Sequence, residues 1–261
     1  MSRFVVIGER IHCISPAIRK AMETKDPEPI LKRAKEQIAQ GATYLDVNIG
    51  PAEKGGQELM QWVVKLIQEE CGNVPLCLDT SNSKAIEAGL AVHNSSKGKP
   101  IVNSADAGDR MSNIDLAAAN GAIVIALCSA AGIPSDNDER MEYCQMMLER
   151  GMALGMDPED MWFDPLFLVI KGMQDKQMDV LEFLKMLRDM GLNSSGGLSN
   201  VSNMMPSHIR PIMNSAMVAM AMCCGLTSAI IDPGDPRLME TIRSCDIIRN
   251  NTLYADSYLE I

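Results

Sequence analysis

The sequence predicts an α/β fold of the (β/α)8 TIM-barrel class, on three observations. Short apolar runs alternate with helical patterns along the whole chain, several of those runs end in Asp or Asn, and 261 residues is an ordinary length for one barrel. Strands are expected near residues 4–10, 43–49, 75–79, 100–104, 122–128, 161–165, 195–199 and 228–232. Strands separated by helices favour a parallel sheet over a sandwich.

The clearest helix follows the second strand, where Leu59, Trp62, Val63, Leu66 and Ile67 fall at i, i+3, i+4, i+7 and i+8. Val180, Phe183, Leu184 and Leu187 repeat that spacing before the seventh strand. One domain over residues 1–261 accounts for the whole pattern. Two loops, 49–57 and 201–210, are long and contain Gly or Pro, which suits close backbone approach or movement as well as ordinary turns. The tail from Asn250 to Ile261 is expected to cap the barrel or pack on a second subunit.

A formal net charge of -10 disfavours nucleic acid and anionic membranes, whose phosphates require clustered Lys and Arg. No leader pattern opens the chain and no apolar run approaches the roughly 20 residues that span a bilayer, so the expected location is the cytoplasm. The eight cysteines show no Cys-x-x-Cys or Cys/His ligand spacing, which predicts no bound metal and buried thiols acting as small hydrophobes. Cys77 and Cys128 fall in strand patterns, Cys144 and Cys223 in helical ones. The 21 methionines, against 4 phenylalanines, are expected mostly in core and helix seams, with a minority on an adaptable rim.

The polar strand ends carry the chemistry. Leu45-Asp46-Val47-Asn48, Leu76-Cys77-Leu78-Asp79, Ile101-Val102-Asn103, Met161-Trp162-Phe163-Asp164-Pro165 and Gly197-Leu198-Ser199-Asn200 each run from apolar to carboxylate or amide. In a barrel the last strand residue points into the mouth. Each has a simpler reading alone: Asp79 as a helix cap, Asp164-Pro165 as a strand terminator, Glu9-Arg10 as a local ion pair. Together, converging Asp and Asn without His make a hydrogen-bonding pocket for a polar, nitrogen-rich ring.

With Ile7-Gly8-Glu9-Arg10, Lys84-Ala85-Ile86-Glu87-Ala88-Gly89-Leu90, Asn103-Ser104, Asp164-Pro165-Leu166, Gly197-Leu198-Ser199-Asn200-Val201-Ser202 and Ala219-Met220-Ala221-Met222, these strings resemble the pterin-binding methyltransferases. The resemblance is to the methyltetrahydrofolate:corrinoid protein methyltransferases of anaerobic one-carbon metabolism. It implies a TIM barrel, a homodimer, tetrahydrofolate or 5-methyltetrahydrofolate as substrate, and a corrinoid (cobalamin) on a partner protein. It also implies that Asp79, Asn103, Asp164 and Asn200 hold the pterin, with Glu9, Asn203 and Arg210 beside them, and that Asn200 is catalytic through a hydrogen bond to N5. No acid is obviously poised in the sequence, so the N5 proton is expected from solvent. None of His12, His93 and His208 sits in a cobalt-ligating Asp-x-His-x-x-Gly string, and each is expected at a surface or helix end.

Two rivals stay open. Dihydropteroate synthase shares the pterin pocket, but its basic strings after the last two strands are replaced here by Ser199-Asn200-Val201 and Ile231-Asp232-Pro233. The other is a catalytically silent pterin-binding protein.

Overall fold

The computed structural model describes residues 3–256. Its strands are β1 (Val5–His12), β2 (Tyr44–Asn48), β3 (Leu76–Asp79), β4 (Ile101–Asp106), β5 (Ile123–Leu127), β6 (Met161–Asp164), β7 (Asn193–Ser194) and β8 (Ser228–Ile231). They pair in parallel in the order β7-β6-β5-β4-β3-β2-β1-β8. A bridge between Gly197 and Ile230 joins the two ends of that sheet. This is a (β/α)8 TIM barrel.

The helices are α1 (Pro16–Thr24), α2 (Pro27–Ala39), α3 (Gly56–Glu70), α4 (Ser83–Leu90), α5 (Ser112–Ala119), α6 (Asn137–Ala153), the single turn α7 (Ile170–Met173), α8 (Gln177–Asp189), α9 (Arg210–Cys224) and α10 (Pro236–Ile248). Several start on caps legible in the sequence. Asp26, Asn82, Asp136 and Asp235 each accept from backbone amides of the first turn. Asn82, not Asp79, therefore caps α4, and Asp79 is left for the mouth. On α3 the fully buried stripe is Met60, Val63, Val64 and Ile67, with Leu59, Trp62 and Leu66 packed along its flank.

Period-two alternation sorts each strand between two cores. Leu45, Val47, Leu76, Leu78, Val102, Val124, Phe163, Ala229 and Ile231 face the helices. Ile7, Cys77, Ile101, Ile123, Ile125 and Trp162 fill the lumen, with Val5, Tyr44 and Ile230 against them. Tyr44 and Trp162 meet edge to face across it, centroids 6.1 Å apart. This apolar plug ends one residue step below the mouth, where the inward positions turn polar.

The expected seventh strand at 195–199 is instead the two-residue β7 followed by a 3-10 turn over Leu198–Ser202. Gly196 explains the departure. A Cβ there would lie 2.7 Å from Phe167 and 2.8 Å from Asp164 Oδ1, so the backbone passes too close to β6 for any other residue. Hydroxyls stitch the short seam: Thr227 Oγ1 and Ser228 Oγ donate to the Ser194 carbonyl at 2.8 and 2.9 Å.

Cys77, Cys128 and Cys144 are buried as expected, whereas Cys223 is exposed on the outward face of α9. His93 lies just past the end of α4, as expected, but is half-buried. Its Nε2 accepts from the Leu76 amide at 3.2 Å, and burial lowers its pKa to about 4. Within the described residues the tail leaves α10 with Leu253 and Tyr254 exposed, and residues 257–261 lie outside them.

Gly89 tests the packing of α4 on α3. An added Cβ would sit 2.7 Å from Met60 Cγ and 2.9 Å from Leu78 Cδ1. Gly→Ala gains about 1 kcal/mol of helix propensity, but overpacking costs about 1–3 kcal/mol. Gly89→Ala is therefore expected to lower the urea midpoint with an unchanged slope. An unchanged or higher midpoint refutes the tight contact.

Candidate active site

At the C-terminal end of the lumen, strand register brings the polar side chains to one level. His12 pairs with Asn48, Asn48 with Asp79, and Asp79 with Asn103. Asn48 Nδ2 donates a short bond to Asp79 Oδ2, and Asn103 Nδ2 donates to Asp46 Oδ1 at 3.1 Å. Asp46 lies one alternation below Asn48 and is only 4% exposed. Across the mouth, Asp164 pairs through Leu127 with Asp106, and its Oδ1 accepts from the Leu166 amide at 2.8 Å. Arg140, almost fully buried, donates from Nε to the Pro165 carbonyl at 3.1 Å and so fixes the turn that follows Asp164.

Two bulges shape the rim. On β1 the register slips by one residue between Gly8 and Ile11, so Glu9 and Arg10 together stand opposite Asp46. Gln37 fills the gap, accepting from the Arg10 amide at 2.9 Å. Arg10 then turns to Glu36 and Asp232, both at 3.8 Å, so the expected Glu9-Arg10 pair does not form. Glu9 instead accepts from Ser199 Oγ at 2.7 Å. On β4 the slip lies between Asn103 and Ala105. Beyond it Arg110 holds Asp106 at 2.7 Å and Ser104 Oγ at 3.0 Å.

Asn200 does not end a strand. It lies in the 3-10 turn and is exposed. Its Oδ1 accepts from Asn203 Nδ2 at 3.2 Å, and Arg210 continues the chain to Asn203 Oδ1 at 3.5 Å and Ser202 Oγ at 3.1 Å. The expected residues thus form two connected groups, Asp79 with Asn103 on β3–β4 and Glu9 beside Asn200, Asn203 and Arg210 on the β1–β7 side. Asp164 stands apart from both. Asp46, Asn48, Ser199 and Asp232 were missed as site residues. The signal for the first two was present, because Asp46 and Asn48 sit two apart on a strand and share its inward face.

Burial sets the protonation of this ring. It pushes Glu9 and Asp164 up to about 7 and Asp79 to about 6, and it raises Asp46 far above the usual carboxylate range, with Asp79 close by adding to the effect. The expectation that no acid is poised therefore fails. The mouth holds several carboxyls that titrate near neutrality.

A sequence model of the pterin-binding enzymes matches residues 15–232, and the chain belongs to that family. The methylcorrinoid:tetrahydrofolate methyltransferase of Eubacterium limosum is 28% identical over 97% of this chain and 94% of its own. Among solved structures, Xanthomonas albilineans dihydropteroate synthase in complex with 7,8-dihydropteroate superposes with a TM-score of 0.73 at 17% identity, covering 95% of this chain and 94% of that one. The Yersinia pestis enzyme with a pterine-sulfa conjugate gives 0.70 at 19%, covering 96% and 94%. At such identities these two show the shared fold.

The raised carboxyls predict a stability slope. A carboxyl whose folded pKa exceeds its unfolded value of about 4 favours folding when protonated, and that contribution is lost as pH rises through the folded pKa. His12 and His93, lowered by burial, act oppositely, but only below about pH 6.5, where an unfolded His titrates. Between about pH 6.5 and 8 the carboxyls dominate, so the melting temperature should fall. Asp164→Asn should melt higher than the unaltered protein at pH 8 and show a shallower slope. Thermal scans of both proteins check this, and a flat or rising profile for the unaltered protein overturns it.

Proposed function

We propose that this chain is a methyltransferase that moves a methyl group between N5 of tetrahydrofolate and the cobalt of a corrinoid carried by a separate protein. The observation that carries the reading is the ring of Asn48, Asp79, Asn103 and Asp164 at the mouth, whose carboxyls are buried without enough donors to stay ionised. A pterin's aminopyrimidinone edge supplies N–H donors beside acceptors, which carboxylates and amides complement. Binding would therefore restore the ionised carboxylates. The full-length similarity to the Eubacterium limosum enzyme supports the methyl transfer and the corrinoid partner.

The methyl group leaves a tertiary amine that needs positive character before it departs, so N5 requires a hydrogen-bond donor more than the protein requires a nucleophile. Asn200 fits that role without titrating. Exposed apolar side chains on three loops of the same face, Ile14, Ile133 and Met204, suit a docked partner rather than bare solvent. Against a synthase that expels pyrophosphate, the cavity beside β8 carries Glu9, Asp232 and Asp235, with Arg210 as its cation.

We also read the chain as a cytoplasmic homodimer. Among the described residues no helix is long and apolar enough to cross a membrane. The outward face of α9 presents Ile212, Ala216, Met220 and Cys223 with no charge between them, an exposed apolar stripe that calls for a covering surface.

Two measurements check this reading. Asn200→Ala should slow single-turnover methyl transfer about 100-fold while folate affinity changes little, because the bond matters mainly in the transition state. Asp79→Asn should do the reverse and weaken folate binding about 10- to 150-fold. Wild-type transfer by Asn200→Ala, or unchanged affinity for Asp79→Asn, removes that residue from its role. For the dimer, Met220→Glu is expected to halve the mass in light scattering. A monomeric unaltered protein refutes the assignment of α9.

A further inference from the structure

Glu9 borders two spaces. Alternation along β1 turns Val5, Ile7 and then Glu9 toward the lumen, and Asp46 feels its charge there. On its other side Glu9 lines a cavity of about 350 Å³ with Ser207, Arg210, Asn214 and Asp232. That volume holds several waters at about 30 Å³ each in the liquid. Asn214, 7% exposed, also lines the cavity, and its buried Oδ1 has no hydrogen-bond partner among the described residues. Of the four mouth carboxyls described above, Glu9 is the one that lines this cavity. Asp46 is sealed in the lumen, Asp79 is bound by Asn48, and Asp164 is tied to the Leu166 amide.

We propose that Glu9 handles the proton of the methyl transfer, exchanging it with solvent through this side cavity and passing it to or from N5 at the mouth, with Ser199 holding the carboxyl in place. The inference rests on the methyltransferase reading above. When methyl leaves the folate, the N5–CH3 bond breaks with its electron pair remaining on N5. The cobalt(I) of a corrinoid gives its electron pair to the new carbon bond, and Glu9 supplies the proton that leaves N5 as N–H. In the reverse direction the Glu9 carboxylate accepts that proton.

The groups that tune Glu9 are arranged for such a role. Burial raises its pKa to about 7, the Ser199 bond and Arg210 lower it, and Asp232 raises it. Asp46 faces it from β2, Asp232 follows β8, and Arg210 opens α9.

The test is single-turnover transfer from methyltetrahydrofolate to free cob(I)alamin across pH 5.5–8.5, a range of about 1.5 pH units either side of neutrality, with folate affinity measured in parallel. The unaltered protein should lose rate as pH rises through about 7, and the reverse transfer should gain rate over the same range. Glu9→Gln should be slower by about 100-fold and lose that dependence while keeping folate affinity within about 3-fold. Ser199→Ala should move the midpoint upward and Asp232→Asn downward, opposite shifts that a merely structural role would not produce. Wild-type rate and pH profile in Glu9→Gln overturn the proposal, as does a loss confined to folate affinity. Failure of the unaltered protein to bind folate or transfer methyl would instead overturn the methyltransferase reading on which it rests.

Discussion

Carboxyls crowded above an apolar plug cannot all be ionised, and the mouth of this barrel is organised around that constraint. Asp46 is buried against Cys77 and receives one amide from Asn103, while Asp79 above it receives one from Asn48. One amide bond each, with the weak Cys77 thiol bond to Asp46, does not replace the water lost by two carboxylates. Burial therefore holds these carboxyls above the ordinary carboxylate range, and a ligand with suitable donors would relieve that cost. Stability is spent in the same place that affinity is gained, the usual trade at a functional site.

The plug beneath is what makes this possible. Tyr44, Trp162 and the isoleucines of β1, β4, β5 and β8 close the lumen to water from below, so the polar layer is solvated from one side only. Bulges on β1 and β4 then turn side chains at the rim away from simple alternation. The first sets Glu9 and Arg10 opposite one residue of β2 and sends them in different directions. The second allows Asn103 to face the lumen while Asp106, beyond the slip, reaches Arg110.

The weakest closure of the barrel lies beside Ser199 and Asn200. β7 has two residues, and the seam to β8 is completed by hydroxyls and one bridge rather than by a full ladder. Shortening the strand frees residues 198–202 to form a tight turn, which carries Ser199 toward β1 and leaves Asn200 exposed at the entrance. A longer strand would have directed these side chains alternately into lumen and helix layer.

The sequence by itself determined the barrel, its alternation of strands and helices, and the polar positions Asp79, Asn103 and Asp164 at the C-terminal side of their strands. These are local properties, since period-two alternation acts over a few residues. Only the tertiary structure decided the rest. Glu9 meets Ser199, 190 positions away, while Arg10, which shares with it the bulge opposite Asp46, turns to Glu36 and Asp232. Gly196 ended β7 early because β6 left no room for a side chain. The acidity of the mouth came from burial contributed by every strand at once, and no single segment encodes how much water the others exclude.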